Sequence, residues 1–157
     1  MPTTTMTRDR RAHRSAAGFT LIEVLIALVI MSVGMLGIAG LYVHSMQAGR
    51  TSLLRHHAVT LAGDVADRIR ANPRAIMSYI GAGADNGCVD GGVNCTSAEM
   101  AGNDIWLWDA QADSTLPNGS VTIVVANAVP PIYTITVNWD EPGETMSYSI
   151  VIPVLGI

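Results

Sequence analysis

The run from Leu21 to Val43 constrains this chain most: it holds 23 residues, of which only Glu23 and Ser32 are clearly polar. A helix of that length crosses the roughly 30 Å hydrocarbon layer of a membrane. The run exceeds the roughly 7 to 15 residues of a secretory h-region, and it carries an acid, which such a segment avoids. Gly37-Ile38-Ala39 does place a small-x-small pattern before Gly40. Cleavage there would release a soluble product, so the first residue of the mature protein separates that reading from a retained helix.

Charge flanks the run unevenly. Arg8, Arg10, Arg11 and Arg14 precede it, opposed only by Asp9. The positive-inside rule keeps that cluster cytoplasmic and sends everything after about Tyr42 to the far side. A charged side chain at the centre of a bilayer costs about 2.5 to 3.5 kcal/mol, less near its edge. Glu23 therefore either snorkels to the interface or pairs with a cation.

Beyond residue 18 five arginines face twelve acids, a formal charge of −7, and no lysine occurs anywhere. A dedicated duplex-DNA binder needs many phosphate-neutralising cations, so specific nucleic-acid binding is not expected. With 49% hydrophobic and 14% charged residues the chain is too apolar for disorder and can bury a core.

From Thr20 the pattern reads as one helix, apolar all round and then amphipathic, with Leu54, Ala58, Leu61, Val65 and Ile69 at helical spacing. Asp64 and Arg68, four apart, are placed to pair on its outer face. Asn72-Pro73 ends the helix, because proline disfavours helical geometry in the residue before it. About 52 residues at 1.5 Å each make a helix of roughly 78 Å, more than a bilayer needs. Gly34, Gly37 and Gly40 recur every third residue within it. Each weakens a helix by roughly 0.8 to 1 kcal/mol against alanine and permits close helix contact or local melting.

Residues 74–80 suggest a short helical piece and residues 81–92 a polar loop. If the far compartment is an oxidising periplasm, Cys88 and Cys95 close that loop as one disulfide. Asp85, Asn86, Asp90 and Asn94 are candidate calcium oxygens, but their spacing is not that of an EF-hand and turns use the same residues. Two cysteines without a nearby histidine pair leave a zinc shell incomplete, so no metal and no cofactor are expected. His44, His56 and His57 are the obvious candidate bases. Neighbours on a helix point apart and no matched nucleophile is evident, so no catalytic residue is assigned.

Residues 104–111 suggest a brief helix carrying Trp106 and Trp108, before a Leu116-Pro117-Asn118-Gly119 turn. Strands are expected over 121–126, over the alternation Tyr133, Ile135, Val137, Trp139, and through Tyr148, Ile150 and Ile152. Glu141-Pro142-Gly143-Glu144 has the residues of a type II turn. The fold class is α+β, a long helix against a small antiparallel sheet of about three or more strands.

The stretch Gly18-Phe19-Thr20-Leu21-Ile22-Glu23 resembles the processing site of type IV pilins and of the pseudopilins of type II secretion. The resemblance implies a prepilin peptidase that cuts after Gly18 and methylates Phe19. It also implies that Glu23 meets the N-terminal ammonium of a neighbouring subunit during assembly. Residues 30–37 and 67–73, then Trp106, residues 116–117 and residues 133–139, look more like PilV-type minor pilins. The implied organisation is a cytoplasmic class III leader (1–18), a transmembrane and assembly helix (19–43), its amphipathic continuation (44–72) and a periplasmic head (73–157). Implied partners are prepilin peptidase, other minor pilins, the major pilin, the inner-membrane assembly platform and membrane lipid. The implied function is priming of pilus assembly and incorporation near the tip, with the pilus at the cell surface as final location. A pseudopilin role, or an adhesive or DNA-uptake role at the tip, are the alternatives.

Overall fold

The computed structural model describes residues 18–89 and 91–155, so residues 1–17, which carry most of the expected leader and its four arginines, and Asp90, Gly156 and Ile157 lie outside the described residues. In chain order the elements are α1 (Leu21–Ala71), a 3-10 turn over Ile76–Tyr79, α2 (Ser97–Thr115), β1 (Ser120–Ala126), β2 (Ile132–Glu141) and β3 (Glu144–Pro153). They fall into two compact units divided between His44 and Ser45.

In the first unit every described residue is exposed. This part of α1 is the one helix among the described residues long and apolar enough to cross a membrane, and none of its apolar window is buried within the chain. Ser32 Oγ donates to Leu28 O at 2.7 Å, so its hydroxyl needs no water.

In the second unit α1 buries the predicted face of Leu54, Ala58, Leu61, Val65 and Ile69, widened by Ala62 and Ala66. Opposite it stands β2, whose inward Tyr133, Ile135, Val137 and Trp139 are at most 1% exposed. The sheet order is β1-β2-β3, antiparallel throughout. Alternation sets both faces: Val121, Ile123 and Val125 of β1, and Met146, Tyr148 and Ile150 of β3, pack half-buried against the same core. The outer face carries Ser120, Thr122 and Val124, then Thr134, Thr136 and Asn138, then Ser147, Ser149 and Val151. Gly143 sits at φ +96° in the β2–β3 turn, the conformation that the third residue of a type II turn requires.

Two expectations needed revision. The brief helix over 104–111 is the middle of α2, which has 19 residues. Its start is fixed by a capping box: Thr96 Oγ1 accepts from Glu99 N at 3.2 Å, and the Glu99 carboxylate accepts from Thr96 N at 2.8 Å. The Thr96 N–H and the Thr96 hydroxyl, which donates at 2.8 Å, hold the Glu99 carboxyl below its ordinary pKa. The Asp64–Arg68 pair forms at 3.2 Å, but it belongs to the junction with α2 rather than to a free outer face. Arg68 also reaches buried Asp104 at 3.2 Å, and Trp108 Nε1 donates to Asp64 at 3.3 Å.

Tyr79 completes that junction. Its hydroxyl donates to Asp104 Oδ2 at 3.1 Å and accepts from Asn72 Nδ2 at 3.2 Å, while the same amide nitrogen donates to Ser97 O at 2.9 Å. Burial, opposed by the Asn72 hydrogen bond and reinforced by the charge of Asp104, pushes the Tyr79 pKa well above its ordinary value. The ring stacks on Trp108 with centroids 5.8 Å apart. One set of polar groups thus joins α1, the 3-10 turn and α2 with every buried atom satisfied.

Candidate assembly site

Thr20 stands one residue before α1, and its Oγ1 accepts from Glu23 N at 3.3 Å, an N-cap bond to the third helical position. Glu23 therefore lies in the first turn, where the partial positive charge of the helix terminus favours a carboxylate. Local structure accounts for its place in the helix. It does not account for its carboxylate, which among the described residues takes part in no salt bridge or side-chain hydrogen bond and stays exposed. Phe19, 81% exposed, and Gly18 precede the helix in open chain.

Gly34, Gly37 and Gly40 lie within unbroken α1, and a Cβ added at any of them would meet nothing in this chain. Gly83 is the contrast, because a Cβ there would overlap the Trp106 backbone. The fold of the single chain thus explains Gly83 and leaves the glycines of the apolar part of α1 unexplained.

Cys88 and Cys95 form a disulfide. Its loop is held to α2 by buried Asn103, whose Oδ1 accepts from Asn86 N at 2.9 Å and Cys88 N at 3.3 Å. Asn86 Nδ2 donates back to Glu99 O at 2.8 Å. Asn86, considered for calcium, is held to α2 through its N–H and Nδ2 rather than through its Oδ1, and Asp85 Oδ1 accepts from Gly87 N at 3.1 Å. No cluster of three or more metal-ligating side chains occurs among the described residues. The sequence marked Asn72 only as a helix end and did not mark Asn103, because their side chains bond groups that only folding brings near.

His44 and His56 are exposed and His57 half-buried on α1. A cavity of about 240 Å³ elsewhere in the second unit is lined by Tyr79, Gly81, Ile105, Trp108, Val121 and Ile123, among others. It contains no histidine. A second, of about 340 Å³, lies among Gln47, Arg50, Thr51, Glu141, Pro142 and Glu144. Thr51 Oγ1 donates to Glu141 Oε2 at 2.6 Å and Trp139 Nε1 to Oε1 at 3.0 Å, which ties the β2–β3 turn to α1 and lowers the pKa of Glu141.

Residues 13–39 match the family described as the prokaryotic N-terminal methylation motif. Residues 40–106 match the family described as Type IV pilin Tt1218. No curated protein and no solved structure gives a match. The motif and the apolar helix fit an inner-membrane anchor. Pilins as a family are structural subunits rather than enzymes. With the first match covering the apolar part of α1, and the second running on through its packed part into α2, the chain belongs to the type IV pilins.

Proposed function

We propose that this pilin is a minor subunit, similar to the PilV type, which helps to prime type IV pilus assembly and enters the filament near its tip. Prepilin peptidase removes residues 1–18 at the cytoplasmic face and methylates Phe19. The helix from 19 to 43 remains in the inner membrane, its amphipathic continuation runs over 44–72, and the head from 73 onward lies in the periplasm. The observation that carries the reading is the carboxylate of Glu23, unpaired among the described residues, in the first turn of α1, whose exposed apolar part bears the methylation motif.

After cleavage a new ammonium stands four residues before Glu23. In the low-dielectric interior of a filament, that cation on one subunit and Glu23 on the next offset each other's desolvation and fix the axial register. Gly34, Gly37 and Gly40 let a neighbouring helix approach closely or let the segment bend. The other minor pilins, the major pilin and the inner-membrane platform are the corresponding partners.

Glu23→Val tests this in the full chain. The variant still fractionates with membranes, but its co-purification with other pilin subunits, and the piliation of the cell, fall at least tenfold. Unchanged partner recovery and piliation would sink the proposal. Deleting the gene separates the two pilin-like machines: loss of pili supports this reading, whereas intact pili with lost protein secretion marks a type II secretion pseudopilin.

A further inference from the structure

An unpaired sheet edge is a template for another strand, and proteins usually blunt it with lysine, proline or a bulge. β3 is an outermost strand of the sheet, and between Glu144 and Pro153 it carries neither a charge nor a proline. The Val154 N–H donates to Pro131 O at 3.0 Å, and the pairing continues in that register through Tyr133–Ile152 and Ile135–Ile150. Hydrogen-bonded and non-bonded pairs alternate along an antiparallel ladder. Thr145, Ser147, Ser149 and Val151 therefore turn their N–H and C=O groups away from β2. Among the described residues those groups have no hydrogen-bond partner.

The two ends of this edge differ. Asp140, Glu141 and Glu144 gather at the β2–β3 turn, while Val151 and Leu155 are 63% and 77% exposed near the other end. Asn118 and Thr145 donate to Asp140 at 2.8 and 2.9 Å and hold its carboxyl below the ordinary pKa, so the turn stays anionic at neutral pH. Residues 75–157 contain nine acids and no Lys, Arg or His. No strand of a second copy can therefore bring a cation to this turn, and pairing two copies edge to edge would join two anionic bodies.

We infer that β3 accepts, by strand addition, an extended segment of a different pilin subunit. That segment is uncharged over about six residues, apolar where it lies beside Val151, and bears Lys or Arg where it reaches Asp140 and Glu144. Backbone hydrogen bonds supply the binding, and the two ends supply orientation and choice of partner. The inference rests on the minor-pilin reading and deepens it by naming the surface that selects one neighbour.

The test uses the full-length chain in native membranes with its pilus genes present. A benzophenone side chain is placed at Ser147, or as a control at Thr122 on the outer face of β1, and adducts are mapped by mass spectrometry after irradiation. Ser147→Lys and Ser149→Pro are made separately; neither removes a backbone hydrogen bond to β2, and Ser149→Pro removes only the exposed hydroxyl contact with Thr136 at 2.7 Å. The expected adduct from Ser147 lies in a basic-ended strand of another pilin, and Thr122 gives none. Both edge variants keep the Cys88–Cys95 bridge and lower recovery of that subunit at least tenfold. No adduct from Ser147, an adduct to a second copy or to an acidic segment, or undiminished recovery with either folded variant overturns the inference. The minor-pilin reading survives those results and falls separately, if the unaltered chain recovers no pilin subunit at all.

Discussion

Both Arg68 and Tyr79 end on the carboxylate of Asp104, a residue only 4% exposed. Removing it strands the Tyr79 hydroxyl proton and leaves Arg68 paired with Asp64 alone, and an orphaned buried partner costs roughly 1 to 3 kcal/mol. Arg68 is 44% exposed and can recover water, so the lower part of that range applies with a small addition for the lost pair. Asp104→Ala is expected to lose about 2 kcal/mol, a fall of roughly 10 °C in Tm, read by the fluorescence of Trp108 and Trp139 in the detergent-solubilised chain. Tyr79 adds a pH dependence. Its folded pKa is raised, so the unfolded chain releases the proton first, near the ordinary value of about 10. Stability is then full below about pH 10 and declines as pH rises further. Tyr133, also raised by burial, contributes in the same direction. Tyr79→Phe is expected to lose about 1 kcal/mol at pH 7 and to show a shallower decline in Tm between pH 9 and 11. An equal slope in both proteins would refute the assignment.

The loop between the 3-10 turn and α2 is an element without regular structure, yet it is held at closely spaced points. Ala84 N donates to Gly102 O at 3.0 Å, Asn103 accepts two loop amides, and Gly83 fits where a side chain would overlap the Trp106 backbone. Backbone cannot yield as a side-chain tip does, so Gly83→Ala must move the loop away from α2. The expected loss is about 2 kcal/mol, within the range for overpacked sites, whereas Gly92→Ala leaves α2 in place because a Cβ at Gly92 meets open space and its φ is not positive. Limited proteolysis of the loop discriminates the two: Gly83→Ala is cut faster, and equal rates would contradict the close fit. The same elements show what a sequence reveals. β2 was legible because Tyr133, Ile135, Val137 and Trp139 alternate with polar residues, and α1 because its apolar positions keep helical spacing. The first turns of α2 were not legible from periodicity, since residues 97–103 hold few large apolar side chains; Thr96 and Glu99 were the available signal. The placement of residues 83–88 comes from bonds to Gly102 and Asn103, contacts that exist only after α2 has formed, and from the Cys88–Cys95 disulfide. At the candidate site, Glu23 and the three glycines could be named from sequence, but the described residues of a single chain leave them without partners.

Across the whole molecule the charges are sorted along the chain. Beyond residue 18 every arginine lies between positions 50 and 74, and the 83 residues that follow contain acids alone. Two of the five arginines are already engaged, Arg68 with Asp64 and Asp104, and Arg70 with Asp67 at 2.9 Å. A third, Arg50, lies beside the Glu141 carboxylate. Arg55 and Arg74 are left without a salt bridge among the described residues. Phosphate contacts supply most non-specific DNA affinity, and each neutralised phosphate steepens its dependence on salt. Two or three cations against a net negative body give a short lever. The processed chain in detergent is therefore expected to bind a fluorescent duplex more weakly than roughly 10 µM at 150 mM salt. The slope of log K against log salt should be no steeper than about −3, close to 0.9 for each neutralised phosphate. Fluorescence anisotropy over a salt series measures both quantities. Submicromolar binding that persists at 150 mM salt would require a basic surface that this charge distribution does not provide, and would revive a DNA-uptake role at the filament tip.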